Sequence, residues 1–392
     1  MRVLLLGTGL QGRGALYDLA VSPAVTEVIA ADRDIAALDA YVRSRGFGAK
    51  VRCRPLDAAQ RGALDALLAD GADAVIDLLP VAFMGAVAAA AVRHGAHVVN
   101  TMYVSPEVRA LADEARSRGV AILPEFGMDP GIDLVLLGEA VRGFDEVTDV
   151  LSYGAGIPEP AAADNPLKYK VSWTFEGVLR AYHRGARVVR DGVAIDVGPD
   201  QQFLPEHVHV VEIEDVGRLE AYPNGDALRF LEPLGLDTSR LRNAGRFTLR
   251  YPGHCDFWRT IAVLHLLDDA PVTVDGVAVD RKRFLAAALE PQLRYAEGER
   301  DLAILKLDVA GTRGGRRQRV VYDLVDRRDL ATGLTAMSRL VGFTASIGAQ
   351  MLGSGAIPRR GLLSPVVDVP WAPFERELAS RGIRVVRRES EL

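Results

Sequence analysis

The sequence predicts an α/β protein in which a doubly wound parallel sheet is interrupted by a second, α+β domain of largely antiparallel strands. Three observations carry that expectation. The chain opens on an unbroken aliphatic run, residues 3–6, that stops at Gly7, Gly9 and Gly12. Short aliphatic runs then alternate with segments of helical periodicity as far as residue 123. From about residue 146 the texture changes to longer alternating runs, and from 330 it returns to helix.

Taken in order, the first strand lacks any polar break, as in a parallel strand buried on both faces. The spacing G-x-G-x-x-G at its end marks a strand turning into a helix. Gly7 permits the tight turn, Gly9 lets backbone approach a pyrophosphate, and Gly12 lets the helix pack on the strand. The helix opening at Leu10 and Gln11 would then present unpaired N–H groups to the phosphates. A second aliphatic run, 28–31, ends in Asp32, twenty residues after Gly12, where a carboxylate accepts hydrogen bonds from ribose hydroxyls. This is a Rossmann-type dinucleotide fingerprint. Asp32 favours NAD by repelling a 2′-phosphate, whereas Arg33 beside it suits one, so NAD is expected ahead of NADP. Asp32 also suits a cap for the helix that follows.

The alternation continues with helix 35–45, strand 51–54, helix 60–69, strand 74–79, helix 83–94, strand 97–100, helix 106–117 and strand 121–123. Six strands make the sheet, and ligands of such sheets bind beyond the carboxyl ends of the strands. The positions that matter are therefore Asp57 near the adenine end, Leu79 and Pro80, then Thr101, Met102 and Tyr103, then the stretch 125–131 with Asp129. Asp57 equally suits a cap for the helix from 60, and Asp129 a cap for a helix starting at Pro130.

The middle of the chain reads as strands 146–156, 187–197 with an Asp191-Gly192 turn, 207–214, 219–222, 245–251, 303–310 and 319–325, with helices at 175–184, 255–267 and 281–293. The tip 311–317, with Arg313, Arg316 and Arg317, is expected to be a solvated loop. Helix 330–352, rich in Ala, Gly and Ser, is suited to docking back on the first domain. The expected division is 1–130 completed by 331–392 for the dinucleotide, and 131–330 for the substrate.

Bulk properties set bounds on partners. The 392 residues exceed what a single core usually supports. A net charge of −5 with no basic stripe argues against nucleic acid or an anionic membrane. No apolar run reaches the roughly 18 residues of a membrane span. The chain opens directly on a strand and has two cysteines, Cys53 and Cys255, so a reducing cytoplasm is the expected compartment. The histidines show no ligand spacing, and no metal is expected.

Hydride chemistry at an amine needs a proton acceptor and anchors for the substrate. Asp129 suits the ammonium and then its proton. Tyr103 suits a hydrogen bond to substrate or nicotinamide. Arg250 suits a carboxylate, His254 suits a base, and Lys168 or Lys170, in a strand-like run, could reach a carboxylate.

Four ordered strings, Tyr103-Val-Ser-Pro106, Gly127-Met-Asp-Pro-Gly-Ile-Asp133, Asn165-Pro-Leu-Lys-Tyr-Lys-Val-Ser-Trp173 and Thr248-Leu-Arg-Tyr-Pro-Gly-His254, resemble the saccharopine dehydrogenase family. The likeness is to its lysine 6-dehydrogenase and saccharopine reductase-like members. It implies an NAD(P)-dependent dehydrogenase acting on the C–N bond of an amino acid, with Tyr103 and Asp129 at the substrate and a homodimer formed through the inserted sheet domain. Where saccharopine reductases carry Pro-Asn-Arg-Asp, this chain has Gly225 in place of the arginine, which weakens saccharopine as substrate. The expectation is therefore oxidative deamination like that of lysine 6-dehydrogenase. The alternatives are a saccharopine-type reductase condensing an aldehyde with an amine, and an NAD(P)-binding redox regulator without turnover.

Overall fold

A computed structural model describes residues 1–392. The chain divides into two compact units, Met1–Glu139 with Met337–Arg384, and Ala140–Ala336 with Val385–Leu392.

In the first unit, β1 (Arg2–Leu6), β2 (Glu27–Asp32), β3 (Val51–Pro55), β4 (Ala74–Asp77), β5 (His97–Asn100) and β6 (Ala121–Leu123) form a parallel sheet in the order β6-β5-β4-β1-β2-β3. A seventh, two-residue strand, Gly361–Leu362, lies outside β6 and was not expected from sequence. Val3, Leu4, Leu5 and Leu6 are fully buried, as an unbroken aliphatic run on a central parallel strand should be. Strand order reverses between β1 and β4, which puts the strand-end crevice beside the glycine turn.

The helices are α1 (Leu10–Val21), α2 (Ile35–Ser44), α3 (Ala63–Leu68), α4 (Met84–Arg93), α5 (Pro106–Ala110), α6 (Ala112–Ser117) and α7 (Ile132–Val141). Ser105 caps α5 by accepting from Val108 N, with Pro106 in the first turn. Helix α3 is shorter than the predicted 60–69, because Gly62 takes a left-handed conformation just before it.

The small-residue helix Ala336–Gly353 packs on α1 backbone to backbone. A Cβ on Gly14 would lie 2.1 Å from Ser338 O, and one on Gly342 would lie 2.4 Å from Ala15 N. Below that contact, Asp18 is buried and takes both arms of Arg381, at 2.6 and 3.0 Å, together with Ser346 Oγ at 2.6 Å. Breaking a buried pair of this kind on one side typically costs about 3–5 kcal/mol.

The second unit carries β7 (Glu146–Pro158), α8 (Phe175–Ala181), β8 (Ala186–Arg190), β9 (Val193–Val197), β10 (His209–Ile213), β11 (Gly217–Pro223), β12 (Asn243–Arg250), α9 (His254–Val263), β13 (Val272–Val274), β14 (Val277–Val279), α10 (Arg281–Leu289), β15 (Asp301–Arg313) and β16 (Arg316–Arg327). Its sheet runs β10-β11-β12-β7-β15-β16 and ends on the C-terminal strand Val386–Glu391. Only β12 and β7 pair in parallel along that path.

That last strand corrects the expected division. Residues 385–392 belong with the second unit, because their hydrogen bonds run to β16. The helix expected at 281–293 closes at Leu289 with a short 3-10 turn after it. The hairpin β13–β14 was missed although Val-Thr-Val-Asp-Gly-Val-Ala-Val carries its signal; Asp275 and Gly276 both have positive φ. The run around Lys168 and Lys170 is a turn and not strand-like. Asn165 Oδ1 accepts from Leu167 N, and Lys168 sits at φ 47°. No helix is long and apolar enough to cross a membrane.

Candidate active site

The glycine turn divides its labour as the sequence implied. Gly7 has φ 86°, and a Cβ there would lie 2.7 Å from Leu78 O; a Cβ on Gly12 would lie 2.1 Å from Gly7 O. Those two glycines serve packing. Around Gly9 nothing stands within 4 Å of a built Cβ, so its backbone faces open space at the N-terminus of α1. Gly9 is also the N-cap of α1 and offers no side-chain cap. A bare glycine backbone at the positive end of a twelve-residue helix fits a pyrophosphate. Leu10 is exposed and Gln11 half-buried on the first turn.

Asp32 is turned toward this turn. Its Oδ2 accepts from Thr8 N at 2.6 Å and Thr8 Oγ at 2.8 Å, and Oδ1 accepts from Asp34 N at 3.0 Å. Burial pushes the carboxyl up, but these donors outweigh it and hold Asp32 below the usual carboxylate range. It is not the cap of α2; that is Asp34, which accepts from Ala37 N. Thr8, which sequence reasoning passed over, thus takes Asp32 as its partner. Beside them Arg33 is exposed without an ion pair, and Arg54, one position before Asp32's neighbour Pro55 on β3, is likewise exposed without one, its Nη1 donating to Cys53 O at 3.3 Å. Asp57 accepts from Ala59 N in a local turn; it does not cap the helix expected from 60, because α3 begins at Ala63 with Gly62 at its N-cap.

Three loops follow β4, β5 and β6. Asp77, buried at the end of β4, accepts from Leu79 N at 3.1 Å and from Asn100 Nδ2 at 2.8 Å. Burial pushes its carboxyl up to about 6, against those two bonds. Asn100 Oδ1 accepts from Met102 N at 2.6 Å. Met102 O accepts from Glu125 N at 3.0 Å, and Glu125 Oε1 accepts from Val104 N at 3.2 Å. Tyr103, half-buried, is therefore bracketed by fixed neighbours; Met102 next to it and Pro80 after β4 are exposed. The loop 127–131 closes on itself through Gly127 N to Pro130 O, 2.9 Å, and Ile132 N to Gly127 O, 3.0 Å. Asp133, buried, accepts from Gly131 N at 2.8 Å. Burial pushes its carboxyl up to about 7, with Gly131 and Leu134 pulling it down and Glu125 pushing it up. Asp129 is half-buried on this loop, and because α7 starts at Ile132, Pro130 does not open a helix.

In the second unit, Arg250 is buried without a carboxylate partner. Its Nε donates to Tyr182 Oη at 3.3 Å and Nη1 to Leu249 O at 2.8 Å, while the guanidinium lies 5.0 Å from the Tyr169 ring centroid. Its strand explains the placement. Phe247 and Leu249 point into one core, and Arg246, Thr248 and Arg250 alternate to the other face. His254 is fully enclosed. Its Nδ1 faces Leu167 O at 3.4 Å and Nε2 faces Tyr182 Oη at 2.9 Å. Burial, then the Arg250 cation, hold it well below the ordinary histidine range. A neutral ring with Nδ1–H toward a carbonyl accepts the Tyr182 proton at Nε2, so His254 orients Tyr182 and is not placed as a base for substrate. Lys170 is also corrected. Its ammonium is buried between Glu299, at 2.7 and 2.8 Å, and Asp164, at 3.0 Å, which leaves nothing for a substrate.

A His/Asp grouping that linear spacing did not show lies elsewhere in this unit. His183 Nε2 is 3.0 Å from Asp200 and 3.8 Å from Asp268, whose other oxygen is 3.7 Å from Arg281. With that arginine it forms an ion-pair network. Arg313, at the predicted solvated tip, pairs with Glu389 at 3.0 Å and donates to Gly143 O at 2.6 Å.

Comparison with known proteins adds to this geometry. The saccharopine dehydrogenase NADP binding domain profile matches residues 3–123, and the saccharopine dehydrogenase C-terminal domain profile matches 127–383. The chain belongs to the saccharopine dehydrogenase family. Among relatives of this family member, the saccharopine dehydrogenase [NADP(+), L-glutamate-forming] of Schizosaccharomyces pombe is 27% identical over 98% of both chains. That of Saccharomyces cerevisiae is 27% identical over 97% of both. The bovine mitochondrial alpha-aminoadipic semialdehyde synthase is 26% identical over 79% of this chain and 40% of its own length. A solved structure titled apo saccharopine dehydrogenase (L-Glu forming) from Saccharomyces cerevisiae superposes with a TM-score of 0.86 at 26% identity, covering 99% of each chain. The protein is thus an NAD(P)-dependent amino-acid dehydrogenase, and the regulator alternative gives way to an enzyme.

Proposed function

We propose that this protein catalyses the saccharopine-type reaction, NADP-linked oxidation of a secondary amine joining two amino acids, or its reverse. The observation that carries this reading is the end-to-end likeness of both parts of the chain to L-glutamate-forming saccharopine dehydrogenases. It moves the reading away from lysine 6-dehydrogenase, the first expectation. In the forward sense, saccharopine, NADP+ and water would give L-glutamate, α-aminoadipic semialdehyde, NADPH and a proton. The bound nicotinamide accepts hydride from the carbon bearing nitrogen, which leaves a C=N bond in the substrate for water to open.

The chain's own residues supply the rest. The bare backbone at Gly9 and the first turn of α1 hold the pyrophosphate. Arg33 and Arg54 take a 2′-phosphate, since Asp32 is already satisfied by Thr8 and no longer faces a ribose as an open carboxylate. NADP is therefore favoured over NAD, the reverse of the expectation from Asp32 alone. Asp129 takes the proton that the amine must lose before hydride can leave, and Tyr103 holds substrate or carboxamide. Arg250, the buried cation without a carboxylate, takes a substrate carboxylate. The chain's substrate domain and dimer interface are assigned to the second unit on the same reading, and the cytoplasm remains the proposed compartment.

One observation favours a lysine 6-dehydrogenase-like alternative. Gly225 occupies the place where saccharopine reductases resembling this chain carry arginine, and it sits in a turn at φ 75° with its carbonyl accepting from Arg187 N. Absorbance at 340 nm, followed with saccharopine and with lysine against NADP+ and NAD+, decides between them. The proposal expects turnover with saccharopine and NADP+ and release of glutamate. Ammonia release from lysine, with saccharopine inert, would replace it.

A further inference from the structure

We infer that Asp77 and Asn100 are positioning residues that couple the loop bearing Leu79 and Pro80 to the loop bearing Tyr103. The inference rests on the reading that this end of the first sheet holds the nicotinamide and substrate. Neither residue reaches that space; each is at most 3% exposed. Between them they fix two backbone amides in different loops through one shared contact. Leu79 N donates to Asp77, Asn100 Nδ2 donates to Asp77 at 2.8 Å, and Met102 N donates to Asn100 Oδ1. Glu125 continues the chain by accepting from Val104 N and donating its own N–H to Met102 O. Both neighbours of Tyr103 are thereby held, and neither loop can shift without breaking a buried hydrogen bond.

The donor and acceptor pattern gives a test that simple loss of stability cannot mimic. In Asp77→Asn, the amide oxygen can accept from Leu79 N or from Asn100 Nδ2 while its NH2 meets the other donor, so one link of the chain is lost. In Asn100→Asp, two carboxylates meet. In the exchange variant D77N/N100D every bond is restored with roles reversed. Asn at 77 accepts from Leu79 N and donates to Asp at 100, which accepts from Met102 N.

Amide hydrogen exchange at Leu79 and Met102 in the substrate-free protein is measured alongside kcat and KM. Either single change should speed exchange of both amides at least tenfold and lower kcat at least tenfold. The exchange variant should bring both back to within about threefold of wild type. If Asp77→Asn leaves exchange and kcat unaltered, or if the exchange variant is no better than the singles, the coupling is overturned. If a single variant does not fold, recovery of the fold, the two amides and kcat in the exchange variant supports the coupling. Failure to recover overturns it. Amides that respond in this way in a wild-type protein inert toward every amino acid tested would instead sink the proposed reaction and leave the coupling of the loops standing.

Discussion

The two units solve opposite electrostatic problems. At the strand ends of the first, the cradle offers bare backbone and exposed cations without an ion pair, Gly9 with Arg33 and Arg54, over a foundation of buried acids whose hydrogen bonds are filled from within. In the second, the cation Arg250 is buried among Tyr169, Tyr182 and Tyr222 and lacks a carboxylate. One surface is ready to receive phosphate at little desolvation cost. The other holds its charge in a low-dielectric setting, where a carboxylate would bind strongly and selectively.

That contrast can be broken at several points, of decreasing size. Asp129→Asn should lower turnover by about 10²–10⁴-fold, the usual worth of a positioned proton acceptor, with NADPH affinity unchanged. Steady-state kinetics and nucleotide titration check both halves. Arg381→Ala strands the buried Asp18 and should destabilise the protein by about 3–5 kcal/mol in denaturant unfolding. Its NADPH affinity should hold while the protein stays folded. Arg250→Met, which keeps the bulk, should raise KM for the amino-acid substrate by roughly 10- to 100-fold, as the loss of a charged hydrogen-bonded partner does. NADPH binding should not change, and a loss there would blur the two roles.

The smallest effect concerns pH. The carboxyl of Asp133 titrates near 7 when folded, above its value near 4 in an unfolded chain, so the unfolded state binds fewer protons in between. Stability from this site is full at pH 4 and falls as pH rises to 7. Asp133→Asn keeps the acceptor for Gly131 N without the charge. Its melting temperature should therefore gain on wild type between pH 5 and pH 8, by a few degrees. A constant difference across that range would assign the burial penalty elsewhere.

The first cradle was legible because its chemistry is local. Gly7, Gly9 and Gly12 lie within one turn, and each showed the packing or openness its place demanded. Asp32 was singled out by its distance from that turn, but its direction could not be read, since Thr8 sits between two glycines and carries no signal of its own. Arg54 was invisible because strand register, not sequence distance, brings it opposite Ala31, one place before Asp32. In the second unit Arg250 could be singled out, but Lys170 and His254 could not be judged. Their partners, Glu299 and Tyr182, are 129 and 72 residues away. The C-terminal strand was misplaced for a related reason. Arg387, Arg388, Glu389 and Glu391, exposed throughout, show no apolar face to mark a strand until β16 is there to pair with them.

The most direct test is the affinity of the wild-type protein for NADPH beside NADH, by fluorescence titration at low and at high salt. Binding of NADPH at least tenfold tighter, with an advantage that shrinks as salt screens the arginines and disappears in Arg33→Ala/Arg54→Ala, is the predicted result. Equal or tighter binding of NADH, unaffected by that double substitution, would contradict the reading of the cradle on which the proposed reaction stands.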